Sequence, residues 1–123
     1  MAKIKLGAWA GKTAKQLDEM ARAIQITTFN QCILKTRRDT GRMMGNWQTN
    51  VGSPITTEIN RVADEDGRPA VQDVEAKVVS GDVMYLTNNV PYCEVYERID
   101  GMMRGAIANL ERNTRRAAEE YDK

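Results

Sequence analysis

Apolar positions recur at helical spacing through the first third of the chain. Leu17, Met20, Ala21, Ile24, Thr28 and Gln31 fall on an i, i+3, i+4, i+7 pattern. The spacing predicts one long helix from Lys12 to about Arg37, with no glycine or proline inside it. The stripe thins after Ile24, where Thr27, Thr28, Asn30 and Gln31 intervene. Phe29, Cys32, Ile33 and Leu34 then spread apolar groups over more than one side. A helix end of that kind needs cover beyond its own core stripe, from the rest of the domain or from a neighbouring subunit.

The pattern then changes period. Thr36 to Gly41 is a basic, polar turn broken by Asp39 and Gly41, and Arg42 to Gly45 has room for one helical turn. Trp47, Thr49 and Val51 alternate with Gln48 and Asn50, which predicts a strand ended by Gly52-Ser53-Pro54. Ile55, Thr57 and Ile59 alternate again and predict a second, more exposed strand. Asn60 to Arg68 is a polar loop. Residues 69–80 fit either period, since Val74, Ala76 and Val78 suit a strand and Val71, Val74 and Val78 suit a helix. Gln72, Asp73, Glu75, Ala76 and Lys77 tip the expectation to helix. Val83 to Thr87 predicts a strand, and Asn88-Asn89-Val90-Pro91 a turn. Tyr92, Val95 and Tyr96 share one face of a short helix that Pro91 can start. After Asp100 and Gly101, Met103, Ile107, Leu110, Thr114, Ala117 and Tyr121 form the stripe of a closing helix, Met102 to Tyr121. Its other face carries Arg104, Arg112, Arg115, Arg116, Glu119 and Glu120.

These elements assemble into one expected domain, residues 1–123, of the α+β class. A long N-terminal helix packs on a small, mostly antiparallel sheet, with a short internal helix and a C-terminal helix. The length of 123 residues suffices for one core. No apolar run approaches the ~20 residues a transmembrane helix needs. Met1 to Gly11 holds too short an apolar stretch for a signal peptide, so the expected compartment of synthesis is a cytoplasm.

Composition narrows the chemistry. Histidine is absent, which removes Ser-His-Asp and Cys-His catalysis and most zinc sites. Cys32 and Cys93 lack metal or redox spacing and are expected as buried free thiols. A net charge of +1 lacks the basic excess of a dedicated nucleic-acid binder. The glycines form no phosphate-binding run. Asp64, Glu65, Asp66 and Asp73 do not match a calcium loop. No cofactor or metal is expected. Lys35, Arg37, Arg38 and Arg42 form the densest basic patch, suited to a helix C-terminus or to phosphates. Met43 and Met44 sit beside a glycine-bounded turn, where one of them is expected to face outward as an interface residue. Glu94 and Glu97 stand near Tyr92 and Tyr96; Glu94 and Arg98 fit an i, i+4 surface pair.

One ordered set of segments is distinctive. Asp39-Thr40-Gly41-Arg42-Met43-Met44-Gly45-Asn46-Trp47-Gln48 resembles the Thr-Gly-Arg…Trp segment of the tail-completion, or neck, proteins of tailed bacteriophages. Residues 83–97, with Asn88-Asn89 and Tyr92-Cys93…Glu97, are similar to that family's strand, double asparagine and Tyr-Ala…Glu helix. Gly101-Met102-Met103-Arg104 is similar to its Gly-Met-x-Arg start of the closing element. The segments follow the family's order and approximate spacing. Cys93 replaces the usual alanine, and the loop from Arg98 to Asp100 is shorter than usual.

The resemblance implies a non-enzymatic virion protein at the head–tail junction, completing the joining surface around the DNA channel. It implies a homo-oligomeric ring of six or twelve copies, portal or adaptor and tail proteins as neighbours, genomic DNA passing without sequence specificity, and no membrane. The matching positions are Thr40, Gly41, Arg42, Trp47, Asn88, Asn89, Tyr92 and Glu97. Lys35, Arg37, Arg38, Met43 and Met44 are the candidate interface or channel residues. Trp47 is expected to anchor the first strand, and Glu97 to pair with Arg42. Two other classes compete: a nucleic-acid-binding accessory protein using the basic turn and the arginine-rich last helix, and a small carboxylate enzyme around Glu94 and Glu97.

Overall fold

The first helix is written into its own ends. The computed structural model describes residues 13–38 and 40–120. Helix α1 spans Ala14–Lys35. Thr13 caps it, its hydroxyl accepting from the Gln16 N–H at 3.1 Å while the Gln16 side chain accepts from the Thr13 N–H at 2.9 Å. At the other end the Thr36 hydroxyl donates to the Cys32 carbonyl at 2.9 Å and accepts from the Trp47 indole N–H at 2.7 Å. One side chain thus ties the helix terminus to the first strand.

Among the described residues seven further elements follow: α2 (Arg42–Gly45), β1 (Trp47–Val51), α3 (Ala70–Lys77), β2 (Met84–Asn88), α4 (Cys93–Asp100), α5 (Met102–Ala108) and α6 (Leu110–Glu120). The fold is α+β, with a long N-terminal helix packed on a small antiparallel sheet. Strands β1 and β2 pair with Trp47 opposite Asn88 and Val51 opposite Met84. The main core gathers the C-terminal half of α1 (Cys32, Ile33) with Met43, Met44, Trp47, Ala70, Val74, Val78, Cys93 and Met102. Trp47 is 1 % exposed and anchors β1 as expected. A smaller cluster joins Met20 of α1 to Ala117 and Ala118 of α6. Between the two clusters, Gln31 and Asn113 exchange amide hydrogen bonds at 3.1 and 3.0 Å. A reciprocal pair of that kind pairs the polar groups where α6 crosses α1, which favours one register over its neighbours.

Four expectations change. Residues 55–59 form no strand. Their backbone bonds to side chains instead: the Asn46 carbonyl oxygen accepts from Ile59 N–H at 2.8 Å, and the Gln48 amide donates to the Thr57 carbonyl at 2.7 Å. Asn89 likewise donates to the Ile55 carbonyl at 2.9 Å. The closing helix is two helices, α5 and α6, which meet at Asn109; Tyr121 lies outside the described residues. Its expected stripe holds at Thr114 and Ala117 but is rotated from Met103 to Leu110. Met103, Ile107 and Leu110 are exposed, and Met102, Ala106, Asn113, Thr114, Ala117 and Ala118 are buried. Small residues face α1 because they let the helices approach closely. At α4, Tyr92 just before the helix and Val95 within it are exposed, and of the three residues expected to pack only Tyr96 lies against the core. The helix expected over 69–80 is present as Ala70–Lys77.

Candidate interaction surface

The distinctive segment around Gly41 is a lock between two stretches of backbone. Gly41 takes φ +83°, a left-handed conformation that L side chains rarely adopt. Its carbonyl accepts from both Gly45 N–H at 2.9 Å and Ala63 N–H at 2.8 Å. The Arg38 side chain donates to the Ala63 carbonyl at 3.1 Å. The loop at 61–63 therefore lies directly on the turn. A Cβ at Gly41 would sit 2.4 Å from the Ala63 carbonyl oxygen, and one at Gly45 would sit 2.4 Å from that of Arg61.

Arg61 closes the lock from the loop side. Its guanidinium donates to the Gly45 carbonyl at 2.6 Å, the Trp47 carbonyl at 2.8 Å and the Asp73 carboxylate at 2.5 Å. It joins α2, β1 and α3 in one set of bonds. Sequence reasoning placed Arg61 in a polar loop and missed it. Nothing in a periodicity marks an arginine whose acceptors lie 12 to 16 residues away.

The second segment meets the first at β2. The Asn88 amide donates to the Met43 carbonyl at 2.7 Å, and its oxygen accepts from Val90 N–H at 3.2 Å. Glu97 turns toward the third segment. Its carboxylate accepts from Met103 N–H at 2.8 Å, at the start of α5, where a negative charge is favourable. The expected Arg42–Glu97 pair does not form. Arg42 bonds Glu58 at 2.5 Å, and Glu97 is engaged by Arg104. Loop 52–69 brings Glu58 over α2, and Glu97 is drawn to the α5 N-terminus. Met43 and Met44 are both buried, which corrects the expectation that one faces outward.

Arg37, Thr40, Gly41, Met43, Tyr92 and Tyr96 line an open cleft of about 400 Å³. Arg37 forms a bidentate pair with Asp100 at 2.6 and 3.0 Å and lies 5.0 Å from the Tyr96 ring centroid. The Arg37 hydrogen bond, and then its charge, holds the Asp100 carboxyl below its ordinary value of 3.8. Tyr92 meets Tyr96 edge-on at 6.1 Å. From the rim of the cleft, Tyr92 and, on α4, Val95 and Ile99 form an exposed apolar row, and Met103 and Ile107 form another on α5. Ile99 and Ile107 are each 61 % exposed.

Comparisons with protein-family profiles, with curated proteins and with solved structures return no match.

The basic patch is largely committed inside the fold. Arg37 is paired with Asp100, Arg38 with the Ala63 carbonyl and Arg42 with Glu58, while Lys35 is exposed at the end of α1. Glu94 is paired with Arg98 at 2.8 Å on the surface. Among the described residues no group of three metal-ligating side chains converges, and no helix is long and apolar enough to cross a membrane.

Cys32 and Cys93 are buried free thiols. Burial first, and the Glu97 carboxylate second, push Cys32 up to about 12 and Cys93 up to about 11. Both thiols are expected to resist alkylation at pH 8 in the folded protein and to react fully in denaturant, as counted by mass spectrometry. The raised values stabilise the fold below about pH 9, and that contribution is lost as pH rises toward the folded values. Thermal unfolding measured from pH 8 to 11 is expected to show a falling Tm.

Proposed function

We propose that this chain is a structural, non-enzymatic subunit of a tailed-phage neck, forming a ring at the head–tail junction around the DNA channel. The observation that carries the reading is the exposed apolar row Tyr92, Val95 and Ile99 beside the cleft at Thr40 and Gly41. Large exposed apolar groups in a row mark a surface that another protein covers. Here they adjoin the segments whose order resembles the neck family. A ring subunit presents one face to the next copy, and a closing contact of that kind needs such a surface. The non-enzymatic reading is supported by the carboxylates. Glu94 is spent on a surface ion pair and Glu97 on the start of α5, so neither stands ready for proton transfer. Six or twelve copies, portal or adaptor and tail proteins as neighbours, and a place in the virion belong to this proposal.

The test is a stop codon at Trp47 in a phage that carries the gene, followed by electron microscopy of the lysate. DNA-filled heads lying apart from tails, rejoined when purified protein is added, are the expected result. Normal infectious particles would overturn the proposal. A second reading, a nucleic-acid-binding accessory protein, is favoured by exposed Arg112, Arg115 and Arg116 on α6. Tight binding of duplex DNA that weakens steeply with salt would bring that reading forward.

A further inference from the structure

Helix α4 separates two different faces. Val95 and Ile99 follow Tyr92 at i+3 and i+7, so the three form one exposed apolar row beside the cleft at Thr40 and Gly41. Glu94 and Glu97 stand roughly 150° round the helix axis from Val95 and Ile99. On that side α4 borders a second opening, a groove of about 470 Å³ between the end of β2 and the start of α5. Leu86, Val90, Pro91 and Met103 give the groove apolar walls. Met103 is exposed, and the exposed Ile107 stands one turn further along α5. One chain thus offers a protruding apolar row and, nearly opposite, an apolar groove.

The charges at the two faces are opposite in sign. Among the described residues the charged group lining the cleft beside the row is Arg37, and those lining the groove are Glu94 and Glu97. The Arg37 side chain is 53 % exposed against 20 % for its partner Asp100, so the guanidinium side of that pair faces outward. Arg98 stands beside Val95 and Ile99 on α4. Its bond to Glu94 joins side chains that are 72 % and 78 % exposed. A surface pair of that kind contributes little on its own. Arg98 and Glu94 can each exchange it for an opposite charge on a neighbouring molecule.

We propose that the row Tyr92, Val95 and Ile99 of one copy seats in the groove at Val90, Pro91 and Met103 of a second copy, with Arg37 and Arg98 facing Glu94 and Glu97 of that copy. This rests on the reading of the chain as a ring subunit and names the two faces that join. A contact between two different faces is head-to-tail. Each added copy leaves one row and one groove free, and the series closes into a ring when the rotation per copy allows it. A row that met its own equivalent would stop at two copies.

Sedimentation equilibrium on the full chain tests this, with a row variant, Val95→Glu/Ile99→Glu, and a groove variant, Met103→Lys. All three positions are exposed, so both variants are expected to keep the wild-type circular dichroism. Wild type is expected to associate past the dimer as its concentration rises toward about 1 mM. Each variant alone is expected to associate roughly thirtyfold or more weakly than wild type. In an equal mixture the row variant keeps its groove and the groove variant keeps its row, so dimers holding one of each are expected. Wild type that stays monomeric would overturn the proposal, as would association that stops at the dimer. Variants that associate like wild type would overturn it too, and so would a mixture that remains monomeric. The stop-codon test of the neck reading does not depend on which faces meet, so failure of the faces and failure of that reading are told apart.

Discussion

Replacing Gly41 with alanine is expected to lower stability by about 2–5 kcal/mol. Forcing an L-residue into the left-handed region costs roughly 1–2 kcal/mol, and overpacking a tight contact costs roughly 1–3. Both act at this position. The backbone is at φ +83°, and the new Cβ would meet the Ala63 carbonyl oxygen at 2.4 Å. That oxygen belongs to backbone and cannot swing aside like the tip of a side chain. Either the turn at Gly41 opens or the loop at 61–63 lifts, and the bond from Ala63 N–H to the Gly41 carbonyl is lost in both cases. Gly52→Ala is the control, because Gly52 is at φ +80° with nothing within 4 Å of its Cβ direction. Urea unfolding of both variants separates conformational strain from steric closure. If Gly41→Ala costs no more than Gly52→Ala, the loop does not rest on the turn.

Arg61→Ala is expected to cost about 2–4 kcal/mol, somewhat less than the roughly 3–5 of a fully buried pair, because Asp73 keeps some contact with solvent. The substitution leaves the Asp73 carboxylate without its partner at 2.5 Å and removes the donors to the Gly45 and Trp47 carbonyls. Arg61→Lys is expected to recover less than half of the loss. A single ammonium cannot reach three acceptors spread over α2, β1 and α3, whereas a planar guanidinium can. Replacing both partners, as Arg61→Met with Asp73→Leu, is expected to be milder than Arg61→Ala alone, since no unpaired charge remains. Chemical denaturation of the four proteins, wild type included, decides it. An Arg61→Lys protein as stable as wild type would show that the bonds to the Gly45 and Trp47 carbonyls contribute nothing.

Together these substitutions interpret the most distinctive stretch of the sequence. Gly41 and Gly45 are glycines because another length of backbone occupies the space of their side chains. Asn88 serves the same closure from the other side, through its bond to the Met43 carbonyl. The segments around Gly41, Asn88 and Glu97 thus hold the fold that presents the cleft and the apolar row at α4. That these stretches are distinctive was legible in the sequence; the reason for their residues was not.

What the sequence determined by itself is what acts over a few residues. The Thr13–Gln16 cap, the α1 stripe, the alternation of β1 and β2, the left-handed turn at Gly41 and the helix over Ala70–Lys77 all follow from spacing and local backbone chemistry. Tertiary structure decided the rest. The alternation of Ile55, Thr57 and Ile59 was a true local signal for a strand. It was overridden because Asn46, Gln48 and Asn89 hold that backbone from positions 9 to 34 residues away. The buried face of α5 was set by packing on α1, which buries Met102 and Ala106 and leaves Met103 and Ile107 exposed, a choice apolar periodicity does not record. Arg42 took Glu58 and not Glu97 because the loop before α3 carries Glu58 over α2 while the Met103 N–H holds Glu97. Bonds between a side chain and a distant backbone or carboxylate leave no repeating mark along the chain, so only the folded geometry reveals them.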